Sequence, residues 1–128
     1  MTVQAMDNIT SLLGSFLDVH SRRAEVVAGN LANADTPGYT AKEVDFADFL
    51  RNAANESMTP TAAGGQAGMM GGPQIVEQQR ITIGLDGNTV DSAREMSTLA
   101  DAGMKYLEGT QLLQMRLRTL RTAIREGK

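Results

Sequence analysis

The chain has 128 residues, one modest domain's worth, but only 4% are aromatic, with no Trp, three Phe and two Tyr. Large rigid core fillers are therefore scarce, and a fully closed globule is not expected. The net charge of −3, with both signs mixed along the chain, argues against a dedicated nucleic-acid binder, and the absence of cysteine excludes disulfides and thiolate metal sites.

The first segment runs from about Val3 to Asn33. Apolar residues recur at Ile9, Leu13, Phe16, Ala24, Val27 and Leu31, with His20 in the same stripe. Steps of mostly three and four predict one long amphipathic helix within residues 1–35. Asp7 suits the positive end of its dipole. Asn33 can take left-handed geometry at the helix end. Pro37 cannot continue the helix, and it biases Thr36 toward extended geometry. Gly38 then turns the chain with positive φ, and Tyr39 can fold back onto the helix end.

Residues 36–90 read as a turn, an extended segment and a loop. The run at 64–73, Gly-Gly-Gln-Ala-Gly-Met-Met-Gly-Gly-Pro, has a high ordering entropy and little to offset it, which predicts a mobile loop. After it come Ile75 and Val76. Ile81, Ile83 and Leu85 then alternate and predict a short strand. Asp86-Gly87-Asn88 reads as a turn.

The third segment, residues 91–128, begins with Ser92 and Glu95 at capping-box spacing. A seven-residue pattern follows. One set is Met96, Gly103, Thr110, Leu117 and Ile124; the other is Leu99, Tyr106, Leu113 and Leu120. This is the seam of a coiled coil, small in the middle at Gly103 and Thr110. Arg116, Arg118, Arg121 and Arg125 crowd the last turns, where cations suit the helix C-terminus. The predicted fold is mainly α: two long terminal helices form a coiled-coil-like pair, joined by an extended or short β segment and a mobile Gly-rich loop.

Signals for catalysis and cofactors are absent. His20, the single histidine, lies in an apolar stripe and reads as a packed or interface residue. With Asp18 and Glu25 it makes no familiar metal spacing. Gly64 to Gly72 lacks the Lys-Ser/Thr ending of a phosphate loop. Ser21 and Ser57 have no evident activating base. No run approaches the ~20 apolar residues of a membrane span. The N-terminus lacks a basic start, an apolar core and a small-residue cleavage site, so export is expected to use no cleaved signal peptide. An isolated pair of such helices is expected to be marginal, because packing supplies most helical stability. Two readings stay open on the residues alone. One is an assembly subunit whose seams are completed by neighbours. The other is a soluble helical-hairpin adaptor that binds one partner helix.

The stretch Asn30-x-x-Asn33-x-x-Thr36-Pro37-Gly38-Tyr39 resembles the signature of the bacterial flagellar axial proteins: rod, hook and hook-associated subunits. Gly29 stands where that signature usually has Ala. Val44-Asp45-Phe46, the run Asp86-Gly87-Asn88-Thr89-Val90-Asp91, Glu95-Met96 and Lys105-Tyr106 are similar to the flagellar basal-body rod proteins, the proximal ones in particular. The short length agrees, because distal rod and hook proteins carry a large inserted domain. The resemblance spans both termini and spares the Gly-rich middle. It implies a structural rod subunit, required for motility, that assembles helically through its terminal helices, links the MS ring to the distal rod and transmits torque. Implied partners are further copies of itself, other rod proteins, the adaptor protein FliE, the MS ring and the flagellar type III export apparatus. The implied location is the basal-body rod within the periplasmic space. The expected assembly interface comprises Ile9, Leu13, Phe16, Val27 and Leu31 with Met96, Leu99, Tyr106, Leu113, Leu117, Leu120 and Ile124.

Overall fold

In the computed structural model, which describes residues 3–58, 72–79 and 83–127, the first apolar stripe forms a single 30-residue helix, α1 (Val3–Ala32). Then come β1 (Lys42–Asp45), α2 (Phe46–Met58), β2 (Gln74–Glu77) and the 35-residue α3 (Ser92–Glu126). The two long helices span about 45 and about 52 Å at 1.5 Å per residue.

α3 packs antiparallel along α1. Glu95 at its start meets Asn30 near the end of α1, Asp101 pairs with Arg23, and Gly109 lies against Phe16 and Leu17. The row that α3 turns toward α1 is Glu95, Ala102 and Gly109, one residue earlier at each repeat than the Met96 set. Small side chains at Ala102 and Gly109 let the helices approach. A Cβ on Gly109 would stand 2.9 Å from both Leu17 Cδ2 and Phe16 Cδ1. Among the described residues, Val19 and Val27 are the buried apolar side chains of α1.

The segment 36–90 holds more regular structure than its sequence suggested. α2 follows β1 directly. Its Phe46, Phe49, Leu50 and Ala53 recur at i, i+3, i+4 and i+7, and Ala53 is buried. Asp48 occupies the first turn, where a carboxylate suits the helix dipole. α2 packs on α1. β1 and β2 pair antiparallel, with Lys42 opposite Glu77 and Val44 opposite Ile75. The Gln78 N–H donates to Ala41 O (2.8 Å), which extends the ladder by one bond.

Three local expectations are corrected. The strand described in this segment lies at Gln74–Glu77 and does not include Ile83 or Leu85. Ile83 and Leu85 are exposed coil and turn, and Ile81 lies outside the described residues. The helix N-cap is Asp91, whose side chain accepts from the Arg94 N–H, and not Ser92; the Glu95 side chain turns inward instead of closing a capping box. No described non-glycine residue has positive φ, so Asn33 is not left-handed. It ends the helix by donating from its side-chain nitrogen to Gly29 O at 2.8 Å. The loop expected at 64–73 falls, for residues 64–71, outside the described residues.

Candidate functional site

Two segments far apart in sequence, 30–42 and 84–95, lock together at one end of the helix pair. Asn30 is 0% exposed and Glu95 1% exposed. The Asn30 amide nitrogen donates to Glu95 Oε2 (2.9 Å) and to Lys42 O (2.7 Å). Its carbonyl oxygen accepts from the Lys42 N–H (2.9 Å) and from the Tyr39 hydroxyl (3.3 Å). Gln78 donates to Glu95 Oε1 (3.3 Å) and ties the end of the returning strand to the same point. One asparagine thus satisfies the backbone where the chain enters β1 and the carboxylate that α3 buries. A buried carboxylate costs several kcal/mol without such partners, so the two helices are fixed in one register.

The turn after α1 is held from the other side. Asn88, buried, donates through its side-chain nitrogen to Asn33 O (2.9 Å), Ala34 O (2.9 Å) and Thr36 O (2.8 Å). Two amide hydrogens are shared among three carbonyls of the turn, of which Asn33 O also accepts from the Thr36 N–H and Thr36 O from the Tyr39 N–H. Gly38 takes φ 72°, which permits its N–H to donate to Asp86 O (3.0 Å); Gly87, at φ 79°, passes close enough that a Cβ there would stand 3.5 Å from the Gly38 Cα. The Thr89 N–H donates to Tyr39 O, and its hydroxyl accepts from the Ala41 N–H. Asn88→Ala should destabilise the chain by about 1 kcal/mol, since three part-buried carbonyls lose the donor they share. Asn88→Asp should cost more, because lone pairs then face the carbonyls. Urea denaturation of both variants checks this order.

The signature residues divide by task. Asn30 and Tyr39 belong to the buried network, whereas Asn33, Thr36 and Gly38 shape the turn. Thr36 Oγ1 donates to Asn33 Oδ1 (3.2 Å), and Pro37 is exposed.

Midway along α1, His20 is buried, with the Phe16 ring edge-on at 4.4 Å and the Phe46 ring of α2 at 6.4 Å. The Arg23 guanidinium lies over the Phe46 ring at 5.3 Å. Burial, and then the Arg23 charge, hold the His20 imidazole below its ordinary pKa. Ser21 faces an open groove with Asp18, Arg22 and Glu25. No cluster of metal-binding side chains occurs among the described residues.

The expected interface residues separate into two groups. Leu13, Phe16, Leu31, Leu99, Leu113 and Leu120 are half-buried and Val27 is buried. Ile9, Met96, Tyr106, Leu117 and Ile124 are exposed, Met96 by 63% and Ile124 by 72%. Met96, Leu117 and Ile124 follow the buried row by one residue, about 100° around the helix. Leu112 and Met115, also exposed, lie on its other flank.

Comparison with known proteins places this architecture. The pattern of the flagella basal body rod protein family matches residues 19–40, the second half of α1 with the signature turn. The flagellar basal body rod protein FlgB of Salmonella typhimurium is 32% identical over 124 residues, covering 87% of this chain and 88% of that protein. The FlgB of Escherichia coli matches over the same span at 32%, and that of Cereibacter sphaeroides is 34% identical over 115 residues, covering 85% of this chain and 88% of its own length. The chain belongs to the flagellar basal-body rod protein family. Within it, the chain is FlgB-like, and its role is structural.

In this rod protein the matched segment holds Val19, His20, Val27, Asn30 and Tyr39, which are core and network residues rather than a separate recognition site. Sequence reasoning missed the tasks of Asn88, Glu95, Gln78 and Gly109. The seven-residue spacing of Glu95, Ala102 and Gly109 was available as a signal for the inner row. Asn88 gave none, because its acceptors lie more than 50 positions away.

Proposed function

We propose that the chain is a non-enzymatic subunit of the proximal flagellar rod, assembling helically with further copies and other rod proteins through its two terminal helices. In this reading it joins the MS ring to the distal rod, transmits torque and is required for motility. FliE and the export apparatus are its other partners, and its place is the rod within the periplasmic space. The observation that carries the proposal is the uncovered apolar surface of α3. α1 covers the narrow row of Glu95, Ala102 and Gly109, while Met96, Tyr106, Leu117 and Ile124 on one flank and Leu112 and Met115 on the other lie open. Patches of this kind mark protein interfaces. Uncovered residues on two flanks need more than one neighbour, which favours an assembly over an adaptor with a single partner helix. Arg116, which continues the inner row, keeps a buried Nε without a hydrogen-bond partner among the described residues. An acidic group of a neighbour is a suitable partner for it and for the exposed Arg118, Arg121 and Arg125.

Leu117→Asp with Ile124→Asp tests the proposal. Both positions are exposed, so the isolated chain should keep its stability to within about 0.5 kcal/mol. Rods and motility should be lost, because a charge would enter each neighbour contact. Normal swimming and normal basal bodies in cells carrying the double variant would overturn it.

A further inference from the structure

α2 is held to α1 at a place where a proton has no accommodation. His20 packs against Phe16 on its own helix and against Phe46, the first residue of α2, and its Nδ1 is buried without a hydrogen-bond partner among the described residues. In imidazolium both ring nitrogens carry hydrogen, so a protonated His20 would bury an Nδ1–H with no acceptor. The surrounding charges offer little relief. From α1 the near charge is Arg23, whose guanidinium already rests on the same Phe46 ring. From α3 the charges are Asp101, Lys105 and Glu108; Asp101 is engaged by Arg23 at 3.4 Å and Glu108 by Lys105 at 3.8 Å. From α2 the contact is the uncharged Phe46 ring.

We propose that His20 is a proton-sensitive latch for α2: neutral, it seats Phe46 and docks α2 on α1; protonated, it releases α2 while the α1–α3 pair persists. The pair persists because its register rests on contacts that involve no residue of α2. Asn30 bonds Glu95 nearly three turns along α1 from His20, and Gly109 meets α1 at Phe16 and Leu17. The direction follows from linkage. A histidine whose pKa is lowered in the docked state binds fewer protons docked than released. Docking is therefore strongest above the ordinary value of 6.5 and weakens as pH falls below it.

Hydrogen exchange of the full-length chain tests the latch at about pH 7.5 and about pH 5.5, on either side of the ordinary histidine range. After correction for intrinsic rates, protection of 46–55 should fall several-fold at the lower pH, while that of 95–113 stays level. His20→Gln, which cannot take a proton, should flatten the response. An equal fall in the variant, or none in the wild type, would overturn the proposal. Because the chain has one histidine, its imidazole resonance gives a second readout that needs no variant. It should titrate below 6.5 together with the Phe46 ring signals. Titration at or above that value, or Phe46 signals that do not follow it, would also overturn the latch.

Discussion

Asn30→Asp is expected to be the most damaging isosteric change in the chain. It keeps the shape of the side chain but replaces the Nδ2–H donors with oxygen lone pairs. Those lone pairs would face Glu95 Oε2 and Lys42 O, now bonded at 2.9 and 2.7 Å. Two carboxylates would then share a site from which water is excluded. Breaking the partner of a buried charge costs about 3–5 kcal/mol, a large part of the stability of a chain this size. The sign of the pH response separates this cause from a general loss of packing. Like charges at short range raise the affinity of the pair for a proton in the folded state. Folding then binds a proton, so the variant should recover part of its deficit as pH is lowered. Asn30→Ala also takes a donor from the buried Glu95 carboxylate but adds no second charge, so its deficit should recover less as pH falls. Urea denaturation of both variants over a pH series would decide the matter. An Asn30→Asp deficit that is small or insensitive to pH would count against the network.

The next largest effect is expected at the close approach of the helices. Gly109→Leu should cost about 3 kcal/mol, because the side chain must displace Phe16 and Leu17 or push α3 off α1. Gly109→Ala is the informative companion. Its Cβ would meet those side chains at 2.9 Å, an overpacking cost of about 1–3 kcal/mol. Removing a mid-helix glycine returns about 1 kcal/mol of helix propensity. The net change should fall between none and about 2 kcal/mol. Gly103 lies less than two turns away, and a Cβ there would meet nothing within 4 Å, so Gly103→Ala should gain the propensity alone. Thermal melts of the three variants should rank Gly103→Ala above Gly109→Ala above Gly109→Leu. A Gly109→Leu chain as stable as the parent would show that the helices do not approach there.

Much of this architecture was legible from spacing. The stripe from Ile9 to Leu31 gave α1, and the stop at Thr36 and Pro37 gave its end. The seven-residue repeat gave α3, because long periodic segments carry many independent signals. The register of that repeat was not legible. The apolar set beginning at Met96 is the stronger hydrophobic pattern, yet α1 selects the row one residue earlier, where Ala102 and Gly109 let it in. Small residues carry little hydrophobic signal, so steric fit prevailed over apolar content. α2 was written plainly in Phe46, Phe49, Leu50 and Ala53, but its mixture with Asp48, Arg51 and Asn52 resembled a loop. The strand at Gln74–Glu77 is paired because β1 lies opposite, a fact that Ile75 and Val76 alone do not express. The buried network was the least legible part. Asn30 and Glu95 are polar residues 65 positions apart, and polar residues ordinarily read as surface. The resemblance to flagellar rod proteins marked both segments without indicating that they touch.

The uncovered flanks of α3 connect these details to the role in the rod. A helix pair whose register is fixed internally by Asn30 and Glu95 presents its remaining apolar residues in a defined pattern, available to neighbours. Side-chain-resolution reconstruction of basal bodies containing this chain is the most direct test. α1 and α3 should be paired there through Asn30, Glu95, Ala102 and Gly109. Met96, Leu117 and Ile124 on one flank, and Leu112 and Met115 on the other, should pack against neighbouring subunits. Density placing both flanks in solvent, or the chain absent from the rod, would contradict an assembly role.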